Sequence, residues 1–187
     1  MKSILRIVLP AVMLCHLATA QNVHTIFLVR HAEKQGPAAP DALSPAGEKR
    51  AECLAKMLKD AGIKQIYVTD AKRTQQTAAP LAAALKLTPT VLPAKDPATL
   101  IRDLTYAGAG NVLVVGHSNT LPFVLARMKA GTVEIAENEY DRMFVLTIME
   151  GAAATVATLH YCECAGPATP AKKTTKPATK KPPAKKP

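Results

Sequence analysis

The chain has 187 residues, 48% of them hydrophobic, no Trp, and a formal net charge of +10. That length suits a single domain with a real core. The charge is unevenly placed: residues 167–187 hold seven Lys and residues 1–20 hold Lys2 and Arg6, which leaves residues 21–166 nearly neutral and separates the high net charge from whatever site the domain carries.

Residues 1–20 read as a secretory signal peptide. Lys2 and Arg6 precede an apolar run over residues 7–17, broken by Pro10 and His16, and Ala18-Thr19-Ala20 supplies a small-x-small cleavage site. The run is shorter than the roughly 20 residues needed to span a bilayer. Leu14 before Cys15 is too bulky for a lipoprotein site. The expectation is cleavage and release into a periplasm or a secreted fraction.

The domain, residues 21–166, alternates strand and helix. Residues 25–29 form a short β-rich run. Ser44 and Pro45 then open a helix, Ser as N-cap and Pro at the first helical position, which Gly62 closes. Its apolar members Ala51, Leu54, Ala55 and Leu58 recur at helical spacing. A strand over residues 63–69 and an Ala-rich helix over 73–85 follow. Residues 91–92 make a brief strand, 98–106 a helix, 111–115 a continuous apolar strand and 120–129 a helix. Residues 142–149 and 155–161 read as an antiparallel hairpin at the sheet edge. Strands separated by helices imply a three-layer α/β/α sandwich with a mostly parallel sheet, an antiparallel edge and no large cap domain.

Residues 167–187 contain only Pro, Ala, Thr and Lys. Nothing there can build a core, so an extended disordered tail is expected. It is either a solvated extension or a weak, salt-sensitive contact for anionic surfaces. It has no aromatics for base stacking, so specific nucleic-acid recognition is not supported.

After cleavage, Cys53, Cys162 and Cys164 remain. An odd number, with the last two one residue apart, implies no disulfide framework. Cys53 is expected to be a small buried apolar residue. His160-Tyr161-Cys162-Glu163-Cys164 reads as alternation on a terminal strand, because no second ligand pair at zinc spacing accompanies it.

The polar residues follow strand ends. Arg30 and His31 come after the first strand, Asp70 and Arg73 after the second, and Gly116, His117 and Ser118 after the apolar strand. In an open α/β sheet, ligands bind beyond the carboxyl ends of the strands. If the strands are parallel and adjacent, two histidines and two arginines converge at one edge. Arginine offers a planar, permanently charged fork for phosphate oxygens. Histidine serves as nucleophile or proton carrier near neutral pH. No carboxylate-rich shell suited to magnesium accompanies them. The chemistry suggested is phosphoryl transfer through a covalent histidine intermediate, without metal or other cofactor.

The same residues resemble a family. Val29-Arg30-His31-Ala32-Glu33-Lys34, Leu43-Ser44-Pro45-x-Gly47-x-x-Arg50-Ala51, Thr69-Asp70-x-x-Arg73-Thr74-x-x-Thr77-Ala78 and Val115-Gly116-His117-Ser118-Asn119-Thr120 are similar, in order, to the motifs of the histidine phosphatase superfamily, the phosphoglycerate-mutase-like proteins. The resemblance implies that His31 is phosphorylated, that Arg30 and Arg73 bind phosphoryl oxygens, and that His117 is the second pocket histidine. Ser118 joins them as a substrate-binding candidate. The short stretch between Arg73 and Gly116 leaves little room for a capping insertion, which favours a small phosphatase over a mutase or phytase.

Departures from the family pattern leave the proton donor unassigned. Ala32 stands where glycine is common, and Ser118 stands where the acid phosphatase branch has Asp. Candidate general acids are Glu33, Asp96 and Asp103. A good leaving group, such as an acyl phosphate, phosphohistidine or pyrophosphate, needs little help from an acid. The expected partner is a small phosphorylated substrate or a phosphoprotein. The alternative is a catalytically retired phosphate-binding or envelope-binding module tethered by the tail.

Overall fold

The central strands, Val23–Arg30 and Asn111–Gly116, are apolar on both faces over most of their length, and that dictates the architecture. In the computed structural model, which describes residues 23–36, 39, 41–105, 110–149 and 153–162, the elements run β1 (Val23–Arg30), α1 (Pro45–Leu58), β2 (Ile63–Thr69), α2 (Lys72–Leu85), β3 (Thr90–Leu92), α3 (Pro97–Thr105), β4 (Asn111–Gly116), α4 (Thr120–Arg127), β5 (Arg142–Met149) and β6 (Thr155–His160). The signal-peptide and tail segments lie outside the described residues, as do Glu163 and Cys164.

The six strands form one sheet in the order β3-β2-β4-β1-β5-β6. The first four are mutually parallel, and β5 and β6 add an antiparallel edge. Alternate residues of β1 and β4 feed separate cores. Val29, Leu113 and Val115 pack with Leu54, Leu58 and Leu81 of α1 and α2. Ile26, Leu28, Val112 and Val114 pack with Leu100, Leu104, Leu121 and Leu125 of α3 and α4. Burial on both faces is what a parallel sheet requires, and it makes the three layers.

Helix starts follow the sequence signals closely. Ser44 caps α1, its hydroxyl accepting from the Gly47 N–H at 3.2 Å, with Pro45 in the first turn. The helix ends earlier than its punctuation suggests: Gly62 sits in the left-handed region (φ 67°) in the turn into β2, after Lys59 has capped the last turn. Helix α2 has no cap of its own, since Ala71 precedes it. Asp41 does the work from a distance, accepting from the Lys72 N–H at 3.1 Å.

One expectation fails. Cys53 is not a lone buried thiol: it forms a disulfide with Cys162, 109 residues away, with a Cα–Cα distance of 6.1 Å. The odd count concealed the pair. The bond joins α1 to the segment just past β6, and the residues following β6 are therefore tied to the helix layer.

Candidate active site

The strand order puts β2, β4 and β1 side by side, all pointing the same way. Arg30 pairs with Gly116 in register, and Val68 pairs with Val115. Three strand ends therefore open onto one edge. There a polar cavity of about 490 Å³ is lined by Arg30, His31, Arg73, His117, Ser118 and Glu137, among others.

The nucleophile candidate is held by two backbone carbonyls, and the residue after it by a threonine hydroxyl. The His31 N–H donates to the Gly116 carbonyl at 2.9 Å, and the Ala32 N–H donates to Thr77 Oγ1 at 2.9 Å. His31 Nδ1 lies 2.8 Å from the Ala32 carbonyl oxygen. A carbonyl only accepts, so the proton is assigned to Nδ1, and Nε2 keeps its lone pair. Burial pushes the His31 imidazole down to about 4, with Arg73, Arg30 and His117 adding repulsion and the Ala32 hydrogen bond opposing them.

His117 has the opposite tautomer. The Thr74 hydroxyl faces the carbonyls of Ala71 (2.7 Å) and Thr69 (3.0 Å), so its proton is committed to a carbonyl. The Thr69 hydroxyl then donates to Thr74 Oγ1 at 2.9 Å and must accept from His117 Nε2–H at 2.8 Å. His117 Nδ1 is left unprotonated, 3.4 Å from Arg73 Nη2. Burial, then the charges of Arg73 and Arg30, push this imidazole down to about 4 as well. The two rings stand 5.4 Å apart, edge to face.

The arginines are anchored at their far atoms. Arg30 Nη1 donates to the carbonyls of Ala136 (2.7 Å), Glu137 (3.0 Å) and Glu139 (3.2 Å), Nη2 meets the Glu137 carboxylate at 3.1 Å, and the guanidinium stacks 4.4 Å from the Tyr140 ring. Arg73 Nη1 pairs with Asp41 at 2.7 Å. In both side chains the buried Nε has no partner among the described residues. The two guanidinium charges lining one cavity favour an anionic occupant. Among the described residues no three His, Cys, Asp or Glu side chains cluster as metal ligands.

The three carboxylates considered as proton donors are engaged elsewhere. Glu33 turns away from the cavity and is gripped by Arg50, whose Nε and Nη2 reach its oxygens at 2.7–3.0 Å. Asp96 precedes α3 and accepts from the Thr99 hydroxyl and N–H, which hold its carboxyl below its ordinary value. Asp103 pairs with Arg102 at 3.0 Å. The carboxylate that does line the cavity is Glu137, which sequence reasoning missed because it lies on an irregular segment with no motif. Thr69, Thr74 and Thr77 were also missed as working residues. Three threonines buried on one face of an Ala-rich helix and at the preceding strand end were a readable signal.

Residues 26–94 match the family model of the histidine phosphatase superfamily (branch 1). Among solved structures, an alpha-ribazole phosphatase from Shigella flexneri aligns with a TM-score of 0.58 at 16% identity, over 73% of this chain and 96% of its own. The protein histidine phosphatase SixA, solved with tungstate, gives a TM-score of 0.58 at 22% identity, over 73% of this chain and 96% of its own. A phosphoglycerate mutase from Plasmodium falciparum gives 0.53 at 20% identity, over 73% of this chain and 89% of its own. At these identities the likeness is one of fold. No curated protein matches the sequence.

Proposed function

We propose that this chain, a member of the histidine phosphatase superfamily by its branch 1 match over residues 26–94, is an exported phosphatase that works through a phosphohistidine on His31. The observation that carries the reading is the 2.8 Å contact of His31 Nδ1 with the Ala32 carbonyl, which leaves an unprotonated Nε2 in a cavity shared with two arginines and a second histidine.

In this reading the phosphoryl oxygens sit against the guanidinium groups of Arg30 and Arg73, which line the cavity. A metaphosphate-like transition state spreads charge over those oxygens, and cations already fixed in place stabilise it without reorganising. His31 Nε2 attacks phosphorus; the P–N bond forms as the bond to the leaving group breaks and takes the electron pair with it. Water then attacks phosphorus, the P–N bond breaks, and the lone pair returns to Nε2. His117 Nδ1 is a base able to accept a proton from the phosphoryl group or from that water. No metal enters these steps, because the two guanidinium groups supply the charge that a metal would.

Glu33, Asp96 and Asp103 are all held by other partners, and the carboxylate at the cavity, Glu137, is paired with Arg30. This favours substrates that leave without protonation, such as an acyl phosphate, a phosphohistidine or a pyrophosphate. The open polar mouth suits a small phosphorylated compound or a phosphorylated side chain of a protein. Export rests on the signal-like residues 1–20, and the Cys53–Cys162 disulfide is chemistry that persists in oxidising compartments.

The test is turnover of acetyl phosphate and p-nitrophenyl phosphate in EDTA by the full chain beside His31→Ala, with acid-labile phosphate trapped on the protein. Turnover abolished by the substitution, with trapped phosphate in the parent only, is the expected result. No turnover on a broad panel of phosphate compounds, or equal turnover in the variant, would sink the proposal.

A further inference from the structure

Glu33 is two residues from the candidate nucleophile, and its surroundings are those of an anchor. Its carbonyl accepts from the Ser44 N–H at 2.9 Å and the Ser44 hydroxyl at 3.2 Å. Gly47 lies so close to that carbonyl that any side chain there would collide with it. Its carboxylate takes two donors from Arg50, a side chain that is itself buried. Bidentate pairing of this kind fixes direction as well as position.

Arg50 is braced in turn from the opposite end of the chain. Its Nη1 donates to the carbonyls of Tyr161 at 3.0 Å and Cys162 at 2.9 Å. Tyr161 is 1% exposed, and Cys162 is bonded to Cys53, three residues along the same helix from Arg50. Helix α1, the residues past β6 and the Glu33 side chain are therefore one cross-linked unit. The remaining neighbour is the peptide between Ala32 and Glu33. Its carbonyl is the acceptor that holds the proton on His31 Nδ1. If that peptide turned, the imidazole would lose the contact that selects its tautomer.

We propose that Glu33 and Arg50 are positioning residues for His31: the pair, anchored by the Cys53–Cys162 disulfide, fixes the Ala32 carbonyl and thereby the tautomer that presents Nε2 to the substrate. The motif residues Ser44, Gly47 and Arg50, two of which also make the N-cap of α1, then share one further task, which is to hold Glu33. The proposal uses the phosphohistidine reading for its kinetic arm but not for its structural one.

The experiment compares the full-length protein with Glu33→Gln and Arg50→Lys. Nitrogen-15 spectra of the His31 imidazole report which nitrogen carries the proton, with or without turnover. Wild type should show the Nδ1–H form, and both variants a mixture of tautomers. In the kinetic arm kcat should fall about 10- to 100-fold with KM within about twofold, the cost of a reacting group held less firmly. The fall should be equal on acetyl phosphate and on p-nitrophenyl phosphate, because formation of the P–N bond is impaired for both. A loss confined to the substrate with the poorer leaving group would make Glu33 a proton donor and overturn the proposal. An unchanged tautomer in a folded Glu33→Gln protein would overturn it too, whatever the rates. Arg50→Lys is buried and exposed to misfolding, whereas Glu33→Gln preserves shape and keeps the test decisive. A wild type with the Nδ1–H tautomer and no turnover would refute the phosphatase reading and leave the brace standing.

Discussion

Mild acid should destabilise this protein through its two cavity histidines before the bulk of its carboxylates titrate. Burial and the neighbouring arginines hold both imidazoles at about 4 in the folded state, against about 6.5 in an unfolded chain. Above pH 6.5 both states are neutral at these sites, and neither histidine affects stability. As pH falls below 6.5 the unfolded chain takes up protons that the folded cavity refuses, so stability drains away until pH passes about 4. At pH 5 a shift of this size is worth ~2 kcal/mol for the buried His31. His117 is partly exposed, and solvent screening reduces its share to ~1 kcal/mol. A combined loss of ~3 kcal/mol is a large part of an ordinary domain's 5–15 kcal/mol. Urea unfolding followed by circular dichroism at pH 7.5 and 5.0 measures it, with His31→Gln and His117→Gln in parallel. Glutamine cannot take up the proton, so each variant should lose less stability than wild type over that interval. Equal losses in wild type and both variants would refute the linkage, and with it the account of these imidazoles as neutral bases.

Arg73→Ala should slow turnover by several orders of magnitude, since its guanidinium lines the cavity beside His117 and in the proposed reading stabilises the charge on the phosphoryl oxygens; a tenfold effect or less in steady-state kinetics would remove it from the cavity's working set. Thr77→Val keeps shape but strips the acceptor from the buried Ala32 N–H, and should cost about 1–3 kcal/mol in urea unfolding. Reducing the Cys53–Cys162 bond opens a loop of 109 residues and should lower unfolding free energy by about 4–5 kcal/mol on loop-entropy grounds; an unchanged midpoint in dithiothreitol would mean that the cross-link does not restrict the unfolded chain.

How much of this was legible beforehand differs residue by residue. Ser44 and Pro45 announced α1 because capping chemistry is local: a hydroxyl one position ahead of a helix satisfies that helix's own N–H groups. The apolar runs at residues 25–29 and 111–115 announced strands buried on both faces, and hence a covered parallel sheet. Arg30, Arg73 and His117 were legible as a group because each follows such a strand, and parallel neighbours end at one edge. Glu33 shows the limit of that reasoning. Its place two residues from His31 suggested a proton donor, yet past the end of β1 the backbone no longer alternates as a strand, and residues close in sequence need not face the same space. Arg50, 17 residues on, decides where its carboxylate points.

The sequence by itself determined the layers, the strand ends that carry charge, and the residue types that meet there, since these follow from periodicity and backbone chemistry over a few residues. Only the tertiary structure decided the pairings: Cys53 with Cys162, Arg50 with Glu33, Asp41 with Arg73, Glu137 with Arg30. It also decided the opposite tautomers of the two histidines, one set by a carbonyl and the other by a threonine pair. Each of these depends on a distance of a few ångströms between groups far apart in the chain, and no local pattern encodes such a distance.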